Sequence, residues 1–332
     1  MQLSFEIHLP AFTNYLQENQ WIGLEDHVVA IQKPGEGNMN MVLRAITANG
    51  SIILKQANPY VQKYPSIPAP IERVEVEYLF YQLLQQTEAL KQYLPNLIGF
   101  DAKKHILAVQ DLGEGADFTF VYRKGHSFED KTLIQAIAFL SILHNLEFDA
   151  NTVRQFPSNL TLRKLNHQHL FVYPFLEDNG FNLDTIQLGL QALSFPYKTD
   201  QLLKMKLQTL GDLYLSTGNT LLHGDYYPGS WLNRTAGFKV IDPEFCYFGN
   251  AAYDIGIFLA HLKMAQAPAA QIELLLTRYQ QPKHFDQTLA FQFAGMEIIR
   301  RLIGLAQLPL DLTLEEKAIL LEEAKSLILL EM

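Results

Sequence analysis

The sequence holds a single cysteine, Cys246, in 332 residues. No intrachain disulfide and no multi-thiolate metal site can be built from one thiol. Charge is also sparse: charged residues make up 18% of the chain against 48% hydrophobic ones. That balance buries a large core and excludes a disordered chain. Basic residues are the scarcer sign, 26 Lys and Arg to 35 Asp and Glu, for a net charge of −9. This argues against nucleic acid as the principal partner. No apolar run approaches the roughly 18 residues of a membrane span. The opening MQLSFEIHLP has no basic segment leading into an apolar one, so it does not read as a secretory signal. The expectation is a cytoplasmic protein with no membrane and no nucleic-acid partner, long enough for two domains.

What is present divides in two. HVVAIQK (27–33) reads as a strand, and 40–56 reads as a hairpin around Asn49-Gly50, a dipeptide suited to a type I′ turn. Three prolines in YVQKYPSIPAP (60–70) mark a loop. From Ile71 to about Gln92 the apolar residues Val76, Leu79, Phe80, Leu83 and Leu84 recur at helical spacing. Two more strands are expected at 97–101 and 106–110. Beyond Asp111 a Gly-containing connector, DLGEGADF, leads into a region with helices expected over about 128–147, 183–193, 199–215, 252–266, 284–307 and 313–330. The predicted architecture is α+β, with a β-rich N-lobe over 1–111 and a mainly helical C-lobe over 112–332.

The chemistry is concentrated in LLHGDYYPGSWLNR (221–234) and VIDPEFCYFGNAAYDIG (240–256). Asp225 stands where the chain leaves an apolar strand, and Asp242 follows it by 17 residues, after a second short β segment. A strand–turn–strand between them lets the carboxylates converge. Asp242 and Glu244 are two apart, and in extended chain they point the same way. Two hard carboxylates on one side suit Mg²⁺. Asp225 is then left to orient a hydroxyl and accept its proton.

His223-Gly224-Asp225, followed by IDPE and Asp254, resembles the aminoglycoside phosphotransferase and choline kinase superfamily, small-molecule relatives of protein kinases. Those proteins carry Asn five residues after the catalytic Asp, where this chain has Ser230. The same departure occurs in 5-methylthioribose kinases, which GEGNMN (35–40), LKQANPYV (54–61) and EIIRRLIGLA (297–306) also resemble. The absence of HRD and DFG speaks against a protein kinase. The resemblance implies a two-lobed protein-kinase-like fold, ATP and Mg²⁺ as cofactors, and a small-molecule acceptor such as 5-methylthioribose or a similar sugar. Aminoglycoside, choline or homoserine-like acceptors remain alternatives, as does a nucleotide-binding relative weak in catalysis. A homodimer stays open.

Each candidate site residue follows from a motif. Asp225 is the expected catalytic carboxylate, with His223 as anchor of its loop. Asp242 and Glu244 are the expected metal ligands, with Ser230 in the position of the family's Asn. Gly35, Gly37 and Asn38 lie between two strands, where glycines let backbone N–H groups approach phosphates. Lys55 ends the apolar strand SIILK and is placed to hold phosphates, paired with a helix glutamate. Glu77 borders the apolar helix face and is the chosen partner, with Glu75 as the alternative. Gln110 and Leu112 sit where a kinase hinge binds adenine. In methylthioribose kinases the pair matching Arg300 and Arg301 would contact the sugar and the transferring phosphoryl group. From spacing alone the pair is equally a solvated helix face, because adjacent helix residues point about 100° apart. His167 and His169 read as a loop pair, His144 as a packing or capping residue, and Cys246 as core.

Overall fold

The protein is described by a computed structural model that covers residues 1–35, 39–234 and 237–331. It forms two compact units, one of Met1–Gly115 with Arg234–Cys246, the other of Ala116–Asn233 with Tyr247–Met332. The expected division at 111/112 thus differs in two places: 112–115 and the segment 234–246 both belong with the first unit. Contacts with the first unit hold that segment there, although it lies far along the chain.

The first unit begins with α1 (Leu9–Glu18), β1 (Val28–Gln32), β2 (Met41–Thr47) and β3 (Gly50–Gln56). A two-stranded ribbon follows, β4 (Tyr60–Val61) and β5 (Tyr64–Pro68), then α2 (Arg73–Leu84), α3 (Glu88–Lys91), β6 (Leu97–Asp101) and β7 (Ile106–Gln110). Five strands pair antiparallel in the order β1-β2-β3-β7-β6. Alternation along β2 and β3 sends Leu43, Ala45, Ile52 and Leu54 into a core shared with Phe12, Leu16 and Trp21. The hairpin is shifted by one residue from the expected turn. Thr47 pairs with Gly50, so Ala48 and Asn49 form the loop. Gly50, at φ +156°, begins the strand instead of sitting inside the turn. The 60–70 loop contains the β4–β5 ribbon, and the helix expected over 71–92 breaks between α2 and α3.

The second unit carries α4 (Asp130–His144), α5 (Ala150–Gln155), α6 (Leu160–His167), α7 (Leu190–Thr199), α8 (Gln201–Leu215) and β8 (Thr220–Leu222). Next come β9 (Trp231–Arg234) and β10 (Gly237–Val240), the latter in the first unit, where Val240 N–H donates to Tyr93 O at 2.7 Å. The chain returns to the second unit with β11 (Tyr247–Gly249), α9 (Ala252–Met264), α10 (Ala269–Arg278), α11 (Gln287–Ile303) and α12 (Leu314–Ile328). β8 and β11 pair antiparallel, Leu221 opposite Phe248. α9 is apolar nearly all round, α11 carries Gln292, Glu297, Arg300 and Arg301 among apolar residues, and both helices are buried nearly all round. Small residues permit the close packing: a Cβ on Gly256 would lie 2.6 Å from Phe293 Cβ, and one on Gly295 would lie 2.3 Å from Ala324 O. Among the described residues no helix is long and apolar enough to cross a membrane.

Candidate active site

In the first unit the central element is Lys55. It lies on β3 between Val42 of β2 and Leu107 of β7, so its stem is walled by sheet and its ammonium is buried. Nζ donates to Glu77 Oε1 at 2.7 Å and also to Asp242 Oδ1. Of the two glutamates considered from the sequence, Glu77 on α2 makes this contact. Glu75 is exposed. Burial draws the ammonium's pKa down, but the carboxylates of Asp242 and Glu77 outweigh it and hold the pKa well above the usual lysine value. Burial pushes the Glu77 carboxyl up, against the pull of Lys55.

Asp242 holds a left-handed backbone conformation, φ +62°. That conformation is uncommon for a residue with a Cβ and recurs at functional sites. Its side chain remains 44% exposed. Glu244, two residues on, has different partners, and the 3₁₀ turn Pro243–Phe245 replaces the extended chain expected between the two. Its Oε2 accepts from Asn40 Nδ2 at 3.0 Å and lies 3.6 Å from Arg73 Nε. Burial, reinforced by the Glu77 charge, pushes its carboxyl up to about 8. Arg73 is fully buried and holds this corner together, donating to Asn40 Oδ1 and to the carbonyls of Met39, Asn58 and Pro70. Arg73 was not identified from the sequence, since an Arg at a helix start carries no motif, and Asn40 closes the GEGNMN stretch without having been singled out within it.

The remaining first-unit candidates are placed more loosely. Gly35 is exposed, and a Cβ there would meet no atom within 4 Å. Gly37 and Asn38 lie outside the described residues. Gln110 ends β7, and its N–H donates to Asn96 O at 2.8 Å. Asp111 is anchored by Arg44 and Ser51, which fixes the chain just before Leu112.

In the second unit the turn after β8 is tied down by one buried carboxylate. Asp254, in the first turn of α9, accepts from His223 N–H at 2.7 Å and from Gly224 N–H at 3.0 Å. Its Oδ2 also meets His144 Nε2 at 3.2 Å, and His144 Nδ1 meets Tyr279 Oη at 2.7 Å. Gly224, at φ +83°, makes the bend that a side chain would resist. Asp225 follows with its side chain 29% exposed. Ser230 Oγ donates to Asp225 O at 2.9 Å, closing the loop that both residues belong to. His223 is therefore an anchor of the turn, and its Nδ1 accepts Asp225 N–H at 3.3 Å.

Arg300 and Arg301 are not a solvated face: both are buried on α11. Although they leave the helix in different directions, both guanidiniums reach Glu297, one turn earlier. Arg300 Nε donates to Glu297 Oε2 at 2.6 Å and Arg301 Nε to Oε1 at 2.8 Å. Arg301 then lies over the Tyr227 ring, 5.1 Å from its centroid, with Nη2 4.0 Å from Asp225 Oδ1. His261 Nε2 also meets Glu297 Oε1, at 3.1 Å, and His261 Nδ1 meets Tyr122 Oη at 2.5 Å. Glu297 was legible in principle, because its i−3 and i−4 spacing from two arginines is the spacing of helix ion pairs.

His167 ends α6 and His169 lies in the π-helical turn Gln168–Val172, so the expected loop is helical. Among the described residues no group of three or more His, Cys, Asp or Glu is arranged to hold a metal ion. Cys246 is buried, with Sγ 3.6 Å from Val76 O.

The sequence profile described as APH, phosphotransferase enzyme family, matches residues 30–291. Methylthioribose kinase 1 of Oryza sativa subsp. japonica is 28% identical over 251 residues, 71% of this chain and 56% of that protein. Methylthioribose kinase of Bacillus cereus (strain G9842) is 26% identical over 335 residues, 88% of this chain and 83% of that protein. The chain spans 56–57% of the two rice relatives it matches. In structure it is similar to the AMP-bound spectinomycin phosphotransferase APH(9)-Ia, with a TM-score of 0.54 at 13% identity over 97% of this chain and 98% of that one. At that identity the likeness establishes the fold, the expected α+β kinase-like one.

Proposed function

The chain belongs to the phosphotransferase enzyme family, and we propose that it transfers the γ-phosphoryl group of ATP to a hydroxyl of a small molecule, with 5-methylthioribose or a similar sugar as acceptor. The observation that carries the choice of acceptor is the buried arginine pair, with Arg301 Nη2 4.0 Å from Asp225 Oδ1. A guanidinium fork beside the carboxylate suits a neutral polyhydroxyl acceptor and a phosphoryl group, to which it donates several hydrogen bonds at once. A cationic acceptor such as choline or an aminoglycoside would meet the like charge of Arg301 there. The curated relatives named as methylthioribose kinases support the same acceptor. A cytoplasmic location belongs to the same proposal.

Asp225 orients the acceptor hydroxyl and takes its proton. Lys55, held by Glu77 on a rigid strand, supplies positive charge to the nucleotide's phosphates. Gln110 and Leu112 offer backbone groups to adenine, and the glycines near residue 35 let backbone N–H groups approach the phosphates. Arg300 and Arg301 bind the sugar and the group in flight. Catalysis on this reading is positioning and charge stabilisation.

The donor chemistry fits Mg²⁺ at Asp242. Its carboxylate is exposed enough to reach a hydrated cation, and Mg²⁺ is commonly bound through one or two carboxylates plus phosphate oxygens and waters. When bound, the ion neutralises phosphate charge. Glu244 has one oxygen committed to Asn40, so its proposed part is to act through water or through the residues it holds. Ser230 is the proposed oxygen in the place of the family's Asn.

The test is ATP turnover by the purified protein against 5-methylthioribose, ribose, choline, homoserine and an aminoglycoside. The expected result is the highest kcat/KM with 5-methylthioribose. A higher value with choline or the aminoglycoside would overturn the choice of acceptor.

A further inference from the structure

Two adjacent arginines on one helix do not converge by themselves. Their Cα–Cβ bonds diverge by about 100°, and each side chain has several rotatable bonds to fix. Here Glu297 supplies the point of convergence. It is fully buried on α11, and both of its oxygens are used. Oε2 takes Arg300 Nε at 2.6 Å, while Oε1 takes Arg300 Nη2 at 2.8 Å and Arg301 Nε at 2.8 Å. The Arg300 contact is bidentate, the geometry that fixes a guanidinium plane as well as its position. Arg301 is gripped at Nε, and its Nη1 is caught by Ala306 O at 3.3 Å. Its remaining Nη2 then points toward Asp225, 4.0 Å away.

The carboxylate is itself oriented from behind. His261 is fully buried and touches Glu297 Oε1 with Nε2 and the Tyr122 hydroxyl with Nδ1. One tautomer satisfies both contacts: Nε2–H donates to the carboxylate, and Nδ1 accepts from Tyr122. A carboxylate held by two guanidiniums and an imidazole has no second rotamer that keeps its partners. Charge agrees with geometry. Burial would raise the Glu297 carboxyl, but the arginines hold it well below its usual range. Burial lowers His261 to about 4 and keeps it neutral.

We infer that Glu297, oriented by His261 and Tyr122, is the positioning residue that fixes the fork of Arg301 beside Asp225 and holds Arg300 on the same carboxylate. It touches no reactant. It sets where two donors stand when the acceptor arrives, so its loss would cost acceptor handling and not nucleotide binding. This rests on the kinase reading given above.

Glu297→Gln keeps the size of the side chain but replaces one acceptor oxygen with an NH₂ that faces a guanidinium donor. Steady-state kinetics with 5-methylthioribose should show kcat/KM for the acceptor falling about 10–150-fold, the loss of one charge-assisted contact, with KM for ATP within about twofold of wild type. In an Arg301→Lys background, where the fork to be positioned is already gone, the same change should cost at least about threefold less. Wild-type acceptor kinetics in Glu297→Gln, or an equal cost in both backgrounds, would overturn the inference, because a residue that only supports the fold is blind to Arg301. Should Glu297→Gln not fold, Tyr122→Phe carries the test. It removes the outermost hydrogen bond and should lower acceptor kcat/KM at least threefold at constant KM for ATP; unchanged kinetics would overturn the inference. A wild-type protein that turns over no acceptor fails the functional reading first, and the inference falls with it.

Discussion

Asn in place of Asp225 preserves the shape of the side chain and removes its capacity to accept a proton. If this carboxylate acts on the acceptor hydroxyl, Asp225→Asn should lower kcat by about 10²–10⁴-fold and leave ATP affinity nearly unchanged; single-turnover kinetics and calorimetric ATP titration check the two halves. Asp242 should behave in the opposite way. Asp242→Ala removes both the exposed carboxylate and one of the two anions that hold the Lys55 ammonium. ATP binding should therefore weaken markedly in the presence of Mg²⁺ and much less in EDTA. An equal loss in both buffers would remove Asp242 from the metal. These residues stood out in the sequence because HGD and DPE are short polar runs at the ends of apolar β segments, in an order that lets their carboxylates converge.

At the scale of elements, the second unit depends on how closely its helices approach. α9 and α11 meet where Gly256 faces Phe293 and the Ala290 carbonyl, and an added Cβ would sit 2.6–2.7 Å from them. Backbone and a Cβ cannot swing aside as a flexible side-chain tip can. Gly256→Ala should therefore destabilise by about 1–3 kcal/mol, even though alanine favours helix by up to about 1 kcal/mol. Thermal denaturation shows this as a lowered Tm. α9 also carries Asp254, which holds the backbone of His223 and Gly224, so the variant should lose kcat as well if the helix shifts. Long elements such as α9 and α11, of 13 and 17 residues, were readable from the sequence. Short ones were not. α6 buries only Leu162 and Arg163, and α10 only Gln271 and Leu275. At 8 and 10 residues, both are shorter than the window over which helical spacing can be read.

At the scale of the whole molecule, the buried ionisable groups make stability depend on pH. Glu244 is the clearest case. In the folded protein burial keeps its proton on up to about pH 8, while the unfolded chain releases it near 4.5. Between those values the folded state binds the additional proton, so this group's stabilisation is complete below pH 4.5 and is lost as pH rises toward 8. Glutamine retains an acceptor for Asn40 and has no proton to lose. The stability of Glu244→Gln relative to wild type should therefore rise between pH 5 and pH 8, by roughly 2–4 kcal/mol, and urea denaturation at the two pH values measures it. A constant difference would mean that Glu244 is ionised throughout.

The sequence by itself determined the periodic part of this protein: alternating apolar residues for the sheet, helical spacing for the long helices, and the order in which Lys55, Asp225 and Asp242 occur. Those signals are local, because backbone geometry repeats every two or 3.6 residues. Only the tertiary structure decided which partner each charge has. Asn40 and Glu244 are 204 residues apart, yet share a buried hydrogen bond that sets how Glu244 is used. Residues 234–246 joined the first unit through packing that no neighbouring residue announces. Arg300 and Arg301 read equally as a solvated face or a binding pair, and only their burial against Glu297 removed the solvated face. Burial and long-range charge pairing depend on which distant segments the fold brings together, and no local pattern encodes that.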